Sequence, residues 1–204
     1  KINCLGIMPC DVSDSSSLES VRDGINGNID FFVHAVAYSD KNELSGKYLN
    51  TSKENFLKTL HISAYSLTEM IRLFSPKMND GASIMALTYY GSTRYMQSYN
   101  VMGVAKAALE TSIKYLSVDM GDRGIRVNAI SAGPMRTLAG AVINKSRKIY
   151  NYTIENSPIK KPLSLEDIGK SSVYLMSDLS KGVTGEILYV DNGYNNVGMS
   201  IQEL

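Results

Sequence analysis

Tyr99 and Lys106 are the side chains whose types and spacing could do chemistry together. A phenol can donate a proton or a hydrogen bond to a forming oxyanion. A neighbouring ammonium favours the phenolate and lowers the phenol from its ordinary value of about 10. The two residues stand seven apart in a helix-like stretch, and seven steps at about 3.6 residues per turn return almost to the same face. By itself the spacing is a weak signal, because a Tyr and a Lys at this interval more often share a solvated face. Tyr89 stands ten residues earlier, just after an apolar run. Tyr89 and Tyr90 read equally well as an aromatic pair on a surface loop.

Such groups need elements to hold them. Ile2 to Met8 reads as a strand, and Ser13 or Asp14 can cap a short helix through Gly24. Phe31 to Val36 is a dense apolar run, the pattern of a strand buried on both faces. A long helix is expected from Ser52, a plausible N-cap, to Phe74, with Pro76 stopping it. Ala82 to Leu87 is the next strand, and a second long helix runs from about Tyr99 to Met120, ending near Gly121 and Gly124. Arg126 to Ser131 and Ile187 to Val190 are strands, with a helix at Glu166 to Met176 between them.

Strands alternating with helices of this length imply an α/β fold with a parallel sheet. In such sheets ligands bind outside the carboxyl ends of strands. Ala35 to Ser39, Tyr89, and Ala132 to Thr137 all follow strands, so they should share one crevice. The segment from Met135 to Pro162 is polar and weakly periodic, as lids and binding loops often are. No internal repeat or linker divides the 204 residues, which read as one domain.

Composition excludes several function classes. Hydrophobic residues make up 44% and charged residues 20%, as in ordinary globular chains. A net charge of +1 gives no electrostatic case for nucleic acid. No apolar run approaches the roughly 20 residues of a membrane span, and Lys1 to Met8 is too short for a signal peptide. His34 and His61 are the only histidines and have no ligand-spaced partners, so no metal is expected. Cys4 and Cys10, on one strand, would lie about 20 Å apart, beyond the ~7 Å of a disulfide. Free thiols fit a reducing compartment, the cytosol.

The run Tyr99-Asn-Val-Met-Gly-Val-Ala-Lys106, preceded by Tyr89, resembles the Tyr-x6-Lys signature of the enoyl-acyl-carrier-protein reductases of bacteria and plastids. These are divergent short-chain dehydrogenases. Arg126 to Ala139, Ser177 to Ser180, Thr184 to Glu186, Val190-Asp191, and Phe32 to Val36 continue the match over most of the chain. Ordinary ketoreductases of the superfamily carry Tyr-x3-Lys and an earlier Ser. Here those positions are Gly103 and Ala86, which favours reduction of a carbon–carbon double bond over a carbonyl.

The resemblance implies a Rossmann-like, doubly wound parallel sheet and reduction of a trans-2-enoyl thioester, the last step of the fatty-acid elongation cycle. It implies NADH as cofactor, with NADPH open, an acyl carrier protein as partner, a homotetramer, and a place in the bacterial cytosol or the plastid stroma. It assigns Tyr99 to the thioester carbonyl, Lys106 to the nicotinamide ribose, and Tyr89 and Ser39 to the substrate. It puts Asp11 and Val12 at the adenine, Val36 against the cofactor, and Met135, Arg136, Thr137, Leu138 and Ala139 along the nicotinamide and pyrophosphate. Met135 to Pro162 matches the family's mobile substrate loop, and Lys145, Arg147, Lys148, Lys160 and Lys161 make it basic towards an acidic carrier.

Two departures stand out. Family members carry further residues before Lys1, which hold the first two strands and the Gly-rich turn. Without strands 1 and 2, the strand at Ile2 to Met8 would stand apart across a gap near 10 Å, and the short chain alone is expected not to bind cofactor. Ala37 also stands where the family often has Gly. Two other functions remain open at this stage, another short-chain reductase and a non-catalytic nucleotide-binding scaffold.

Overall fold

The structure, a computed structural model, describes residues 4–137 and 146–199. Four parallel strands make one sheet in the order β1 (Ile29–His34), β2 (Met78–Thr88), β3 (Arg126–Ala132) and β4 (Ile187–Val190). His34 lies opposite Ala86, and Ala86 opposite Ala129, so the carboxyl ends of β1, β2 and β3 are level. The doubly wound arrangement expected from the sequence is what forms.

Alternation along β2 sorts its side chains onto two faces. Ile84 and Ala86 pack with α1 (Ser15–Gly24), α3 (Ser66–Phe74) and α4 (Val101–Asp119) through Leu18, Leu67, Phe74, Leu109 and Ile113. Met85 points the other way, onto Ile130 and onto Ile168 and Leu175 of α6 (Leu165–Met176). Side chains such as Leu109 and Ile113, buried completely, each contribute about 1.5–3 kcal/mol of transfer free energy.

Local chemistry explains the helix ends. Asp14 caps α1 by accepting from the Ser16 amide, and Ser164 with Asp167 forms a capping box on α6. Ser52 caps α2 (Lys53–Leu60) by accepting from Asn55 N at 3.2 Å. Between α2 and α3 the expected single helix widens into a π turn at His61–Tyr65. Such turns insert one residue and recur at functional sites. Pro76 then sits in a short 3-10 turn, Ser75–Lys77, which ends the helix.

Four expectations are corrected. Residues 4–8 form no strand, and Leu5 and Ile7 lie fully exposed. A strand exists only through its ladder, and these residues do not reach β1, so the described sheet is continuous and ends on β1. β1 is not buried on both faces: Phe31 and Val33 are exposed on one, while Phe32 and His34 pack inward on the other. The helix predicted from Tyr99 begins at Val101, so Tyr99 precedes it. The segment taken as a loop contains α5 (Ser146–Asn156). Its periodicity is faint because tyrosines and buried Thr153 and Asn156 replace an aliphatic stripe.

Candidate active site

At the level carboxyl ends of the strands lies a cavity of about 610 Å³. Ala37 to Lys41 and Leu44 line it after β1, Tyr89, Met96, Tyr99 and Met102 after β2, and Gly133 to Met135 with Thr137 after β3. Ile149 and Tyr150 of α5 complete the wall. The wall is mostly apolar with a few polar groups, the usual character of a small-molecule site of this size.

Tyr99 is set by constraint rather than by helix geometry. Its neighbours Ser98 and Asn100 both have positive φ, 60° and 38°, a backbone state costing of order 1–3 kcal/mol for a non-glycine residue. Asn100 is held there by its amide, which donates to the Glu43 carbonyl at 3.0 Å. The ring meets Tyr89 edge-on with centroids 4.9 Å apart. Gly91 makes room for it, since a Cβ there would come within 2.5 Å of the Tyr99 ring. Gly103, at the start of α4, packs on the Gly91 carbonyl, which a Cβ would approach to 2.7 Å. The small residue at 103 therefore serves packing within the chain.

The electrostatics correct one expectation. Burial pushes the Tyr99 phenol up, and Tyr89 and Glu110 add to the rise. Desolvation outweighs any pull from Lys106, so the phenol stays protonated. Tyr89 is raised too, by burial first and then by Tyr194 and Asp191.

Lys106 is buried on α4, and its ammonium donates to the Leu87 carbonyl at 2.8 Å. Burial pulls it down to about 8, with Glu110 pulling the other way. Buried Glu110 accepts from Thr88 Oγ1 at 2.7 Å. His34, at the end of β1, is lowered to about 4 by burial and then by Lys106. It is therefore neutral, and its Nε2 bonds Ser66 Oγ at 2.8 Å.

The loop after β1 is pinned to the π turn. Ser63 Oγ accepts from the Tyr38 amide at 2.9 Å and donates to the Tyr38 carbonyl at 3.1 Å. Asn55 Oδ1 accepts from the Asp40 amide at 2.9 Å. The Glu43 carboxylate, held low mainly by the Ser52 amide and hydroxyl, also receives the Asn55 amide.

Of the residues singled out in the sequence, Ser39, Tyr89, Tyr99, Met135 and Thr137 line this cavity together. Lys106 lies behind it against Leu87, two residues before Tyr89. Arg136 stacks over the Tyr150 ring, 5.0 Å from its centroid. Val36 packs on the main core and Val12 lies within it. Asp11 is exposed, and its carboxylate accepts from the amide and hydroxyl of Ser13. These four are not among the cavity's lining residues. Leu138 and Ala139 lie outside the described residues. Sequence reasoning missed Leu44, Met96, Met102, Ile149 and Tyr150 in the wall, and Gly91 and Glu110 in the support. Methionines at 96 and 102, either side of Tyr99, were the available signal. Both cysteines are free, and no cluster suited to a metal ion occurs among the described residues.

Residues 1–195 match the family profile described as enoyl-(acyl carrier protein) reductase. The chain is 52% identical over its full length to enoyl-[acyl-carrier-protein] reductase [NADH] 2 of Rhizobium meliloti strain 1021, covering 77% of that protein. Among solved structures it is similar to FabI from Candidatus Liberibacter asiaticus, with a TM-score of 0.94 and 51% identity over 97% of this chain and 78% of that one. An enoyl-(acyl-carrier-protein) reductase from Anaplasma phagocytophilum, solved in complex with NAD, gives a TM-score of 0.91 and 50% identity over 95% and 75%.

Proposed function

The chain belongs to the enoyl-acyl-carrier-protein reductase family, and from that premise we propose the roles of its residues in reducing the trans-2 double bond of enoyl thioesters. This reaction is the final reduction in each round of fatty-acid elongation. The observation that carries the assignment is the protonated, buried Tyr99 phenol facing an apolar cavity, with the Lys106 ammonium behind it.

The crevice suits a nicotinamide cofactor in position and in donors. It opens at the carboxyl ends of parallel strands, Thr137 lines it with a hydroxyl, and the Lys106 ammonium lies behind its wall. When bound, the reduced cofactor supplies the hydride for C3 of the substrate. NADH is the proposed form, in keeping with the relatives' names.

The enolate takes its C2 proton from water, and the chain's own groups orient and stabilise it. Tyr99 donates a hydrogen bond to the thioester oxygen as it gains enolate charge. It keeps its proton at the oxygen, because burial holds the phenol neutral. Tyr89, edge-on to Tyr99, fixes the ring and lines the acyl path with Ser39. Lys106 holds the ribose hydroxyls and keeps positive charge near the forming oxyanion. Met96, Met102, Leu44 and Ile149 exclude water from the acyl chain. Met135, Arg136 and Thr137 hold the nicotinamide and pyrophosphate side, and Val36 backs it. Asp11 and Val12 take the adenine.

The acyl carrier protein is the proposed partner. Exposed Arg147 and Lys148 on α5, beside the cavity, with exposed Lys160 and Lys161, form its basic approach. A homotetramer and a reducing compartment are proposed with it. The free thiols support that compartment, and no helix of the described residues is long and apolar enough to cross a membrane.

NADH oxidation with crotonyl and acetoacetyl thioesters tests the reading. Turnover of crotonyl with none of acetoacetyl supports it, and the reverse overturns it. Replacing NADH by NADPH in the crotonyl assay should raise the cofactor KM. Charge reversal at Arg147 and Lys148 should lower kcat/KM on the carrier-bound substrate more than on the coenzyme-A substrate; equal losses would remove the docking assignment.

A further inference from the structure

We infer that Glu110, with Thr88 as its anchor, is a positioning residue that holds the Lys106 ammonium charged and aimed at the crevice. The inference rests on the role given to Lys106 above.

The geometry is compact. Lys106 and Glu110 lie four residues apart within α4, so their side chains share one face. That face docks on the end of β2 through two adjacent residues. Leu87 accepts from the Lys106 ammonium at 2.8 Å, and the Thr88 hydroxyl donates to Glu110 Oε1 at 2.7 Å. Both side chains are buried, 5% and 8% exposed, and Glu110 forms no ion pair among the described residues. An isolated carboxylate in such surroundings is costly unless a counter-charge lies close. The titratable groups that act on Lys106 or feel it are Glu110 on its own helix and His34 from β1. His34 is neutral and the phenols are protonated, so the carboxylate is the one anion near enough to matter. Its field opposes the desolvation of the ammonium.

The Thr88 hydroxyl bond explains why the carboxylate stays beside the lysine instead of turning away. It also ties α4 to β2 directly beneath Tyr89, one residue further along the chain. Glu110 is not among the cavity's lining residues, and its charge also raises the Tyr99 phenol. The titration of Lys106 itself therefore separates its action through Lys106 from its effect on Tyr99.

The test pairs a pH profile with a direct titration. Glu110→Gln keeps the shape and removes the charge. A charge at this spacing is worth about one pKa unit at an effective interior dielectric. The basic limb of kcat/KM should move down by about one unit, a roughly tenfold loss above it, with a higher KM for NADH. Thr88→Val, which removes only the donor, should move the limb in the same direction by less, and it decides the matter if Glu110→Gln does not fold. Carbon-13 NMR of the labelled Lys106 Cε should follow the same shift in both variants. An unchanged Lys106 titration in folded Glu110→Gln overturns the inference. A shifted titration with an unmoved activity profile supports Glu110 and instead removes Lys106 from turnover.

Discussion

The corner where β2 meets α4 and the outer side of β1 are built on opposite principles. At the corner every group is fixed from several directions: Tyr99 between two strained neighbours, Gly103 on the Gly91 carbonyl, Lys106 and Glu110 on consecutive residues of β2. On the β1 side, Phe31, Val33, Leu5 and Ile7 face outward, and the hydrogen bonds of Asp11 among the described residues go to its sequence neighbours Ser13, Asp14 and Ser17. Geometry at the corner comes from long-range packing, whereas on the β1 side it comes from the local chain. The lesson is that the corner holding Tyr99 and Lys106 is preorganised from many directions, while residues 4–7 and the outer face of β1 lie exposed.

The sharpest way to break this contrast is at Tyr99. Tyr99→Phe should lower kcat/KM on crotonyl thioester by about 100- to 1,000-fold, the scale of one lost oxyanion donor, with folding unchanged by circular dichroism. A loss under tenfold would mean that the corner's order does not serve the chemistry.

A pH series comes next. Lys106 is depressed to about 8, so kcat/KM of the free enzyme should fall above that pH, tenfold per unit once the limb is reached. Stability should do the opposite. The unfolded lysine still binds its proton between about pH 8 and its ordinary 10.4, so stability rises with pH across that window. Loss of activity paralleled by loss of stability there would refute the assignment.

Gly103→Ala should destabilise the protein by about 1–3 kcal/mol, the usual effect of overpacking, seen as a lower urea midpoint. The backbone carbonyl of Gly91 is the atom that must yield. The smallest effect belongs to the other region. Phe31→Ser should change stability by no more than about 0.5 kcal/mol, as exposed substitutions do. A loss above about 2 kcal/mol would show that the β1 edge is covered in the working protein, and the contrast would vanish.

What could be read from the chain follows the same division between local and long-range causes. Asp14, one of the two candidates with Ser13, and Ser52 marked helix starts correctly because a cap is a contact between near neighbours. Ile187–Val190 was legible as a strand because its apolar run is short and bounded. Ile2 to Met8 misled because a strand needs a partner that local pattern does not reveal. Tyr99 was found by its spacing to Lys106, yet its placement outside the helix depends on Asn100 reaching Glu43, far away in sequence. Glu110 gave no signal, because a helical glutamate is usually solvated and only the fold buries it beside Lys106. Val12 and Val36 were legible as apolar; Val12 lies in the core and Val36, partly buried, packs against it.

The π turn at His61–Tyr65 has a consequence for how such a chain tolerates change in length. It stores one residue more than a regular helix of the same span. Deleting one residue there would let α2 and α3 fuse into an uninterrupted α-helix, an outcome favoured by backbone hydrogen bonding alone. The flanking helices would keep their registers, because the wide turn already absorbs the extra residue, and the change would fall on the turn itself, which holds Ser63 against both backbone groups of Tyr38. The deletion would produce a helix that is straighter and a cavity wall that has come loose. A single-codon loss in this stretch is thus a route by which the protein could gain regularity and forfeit its site.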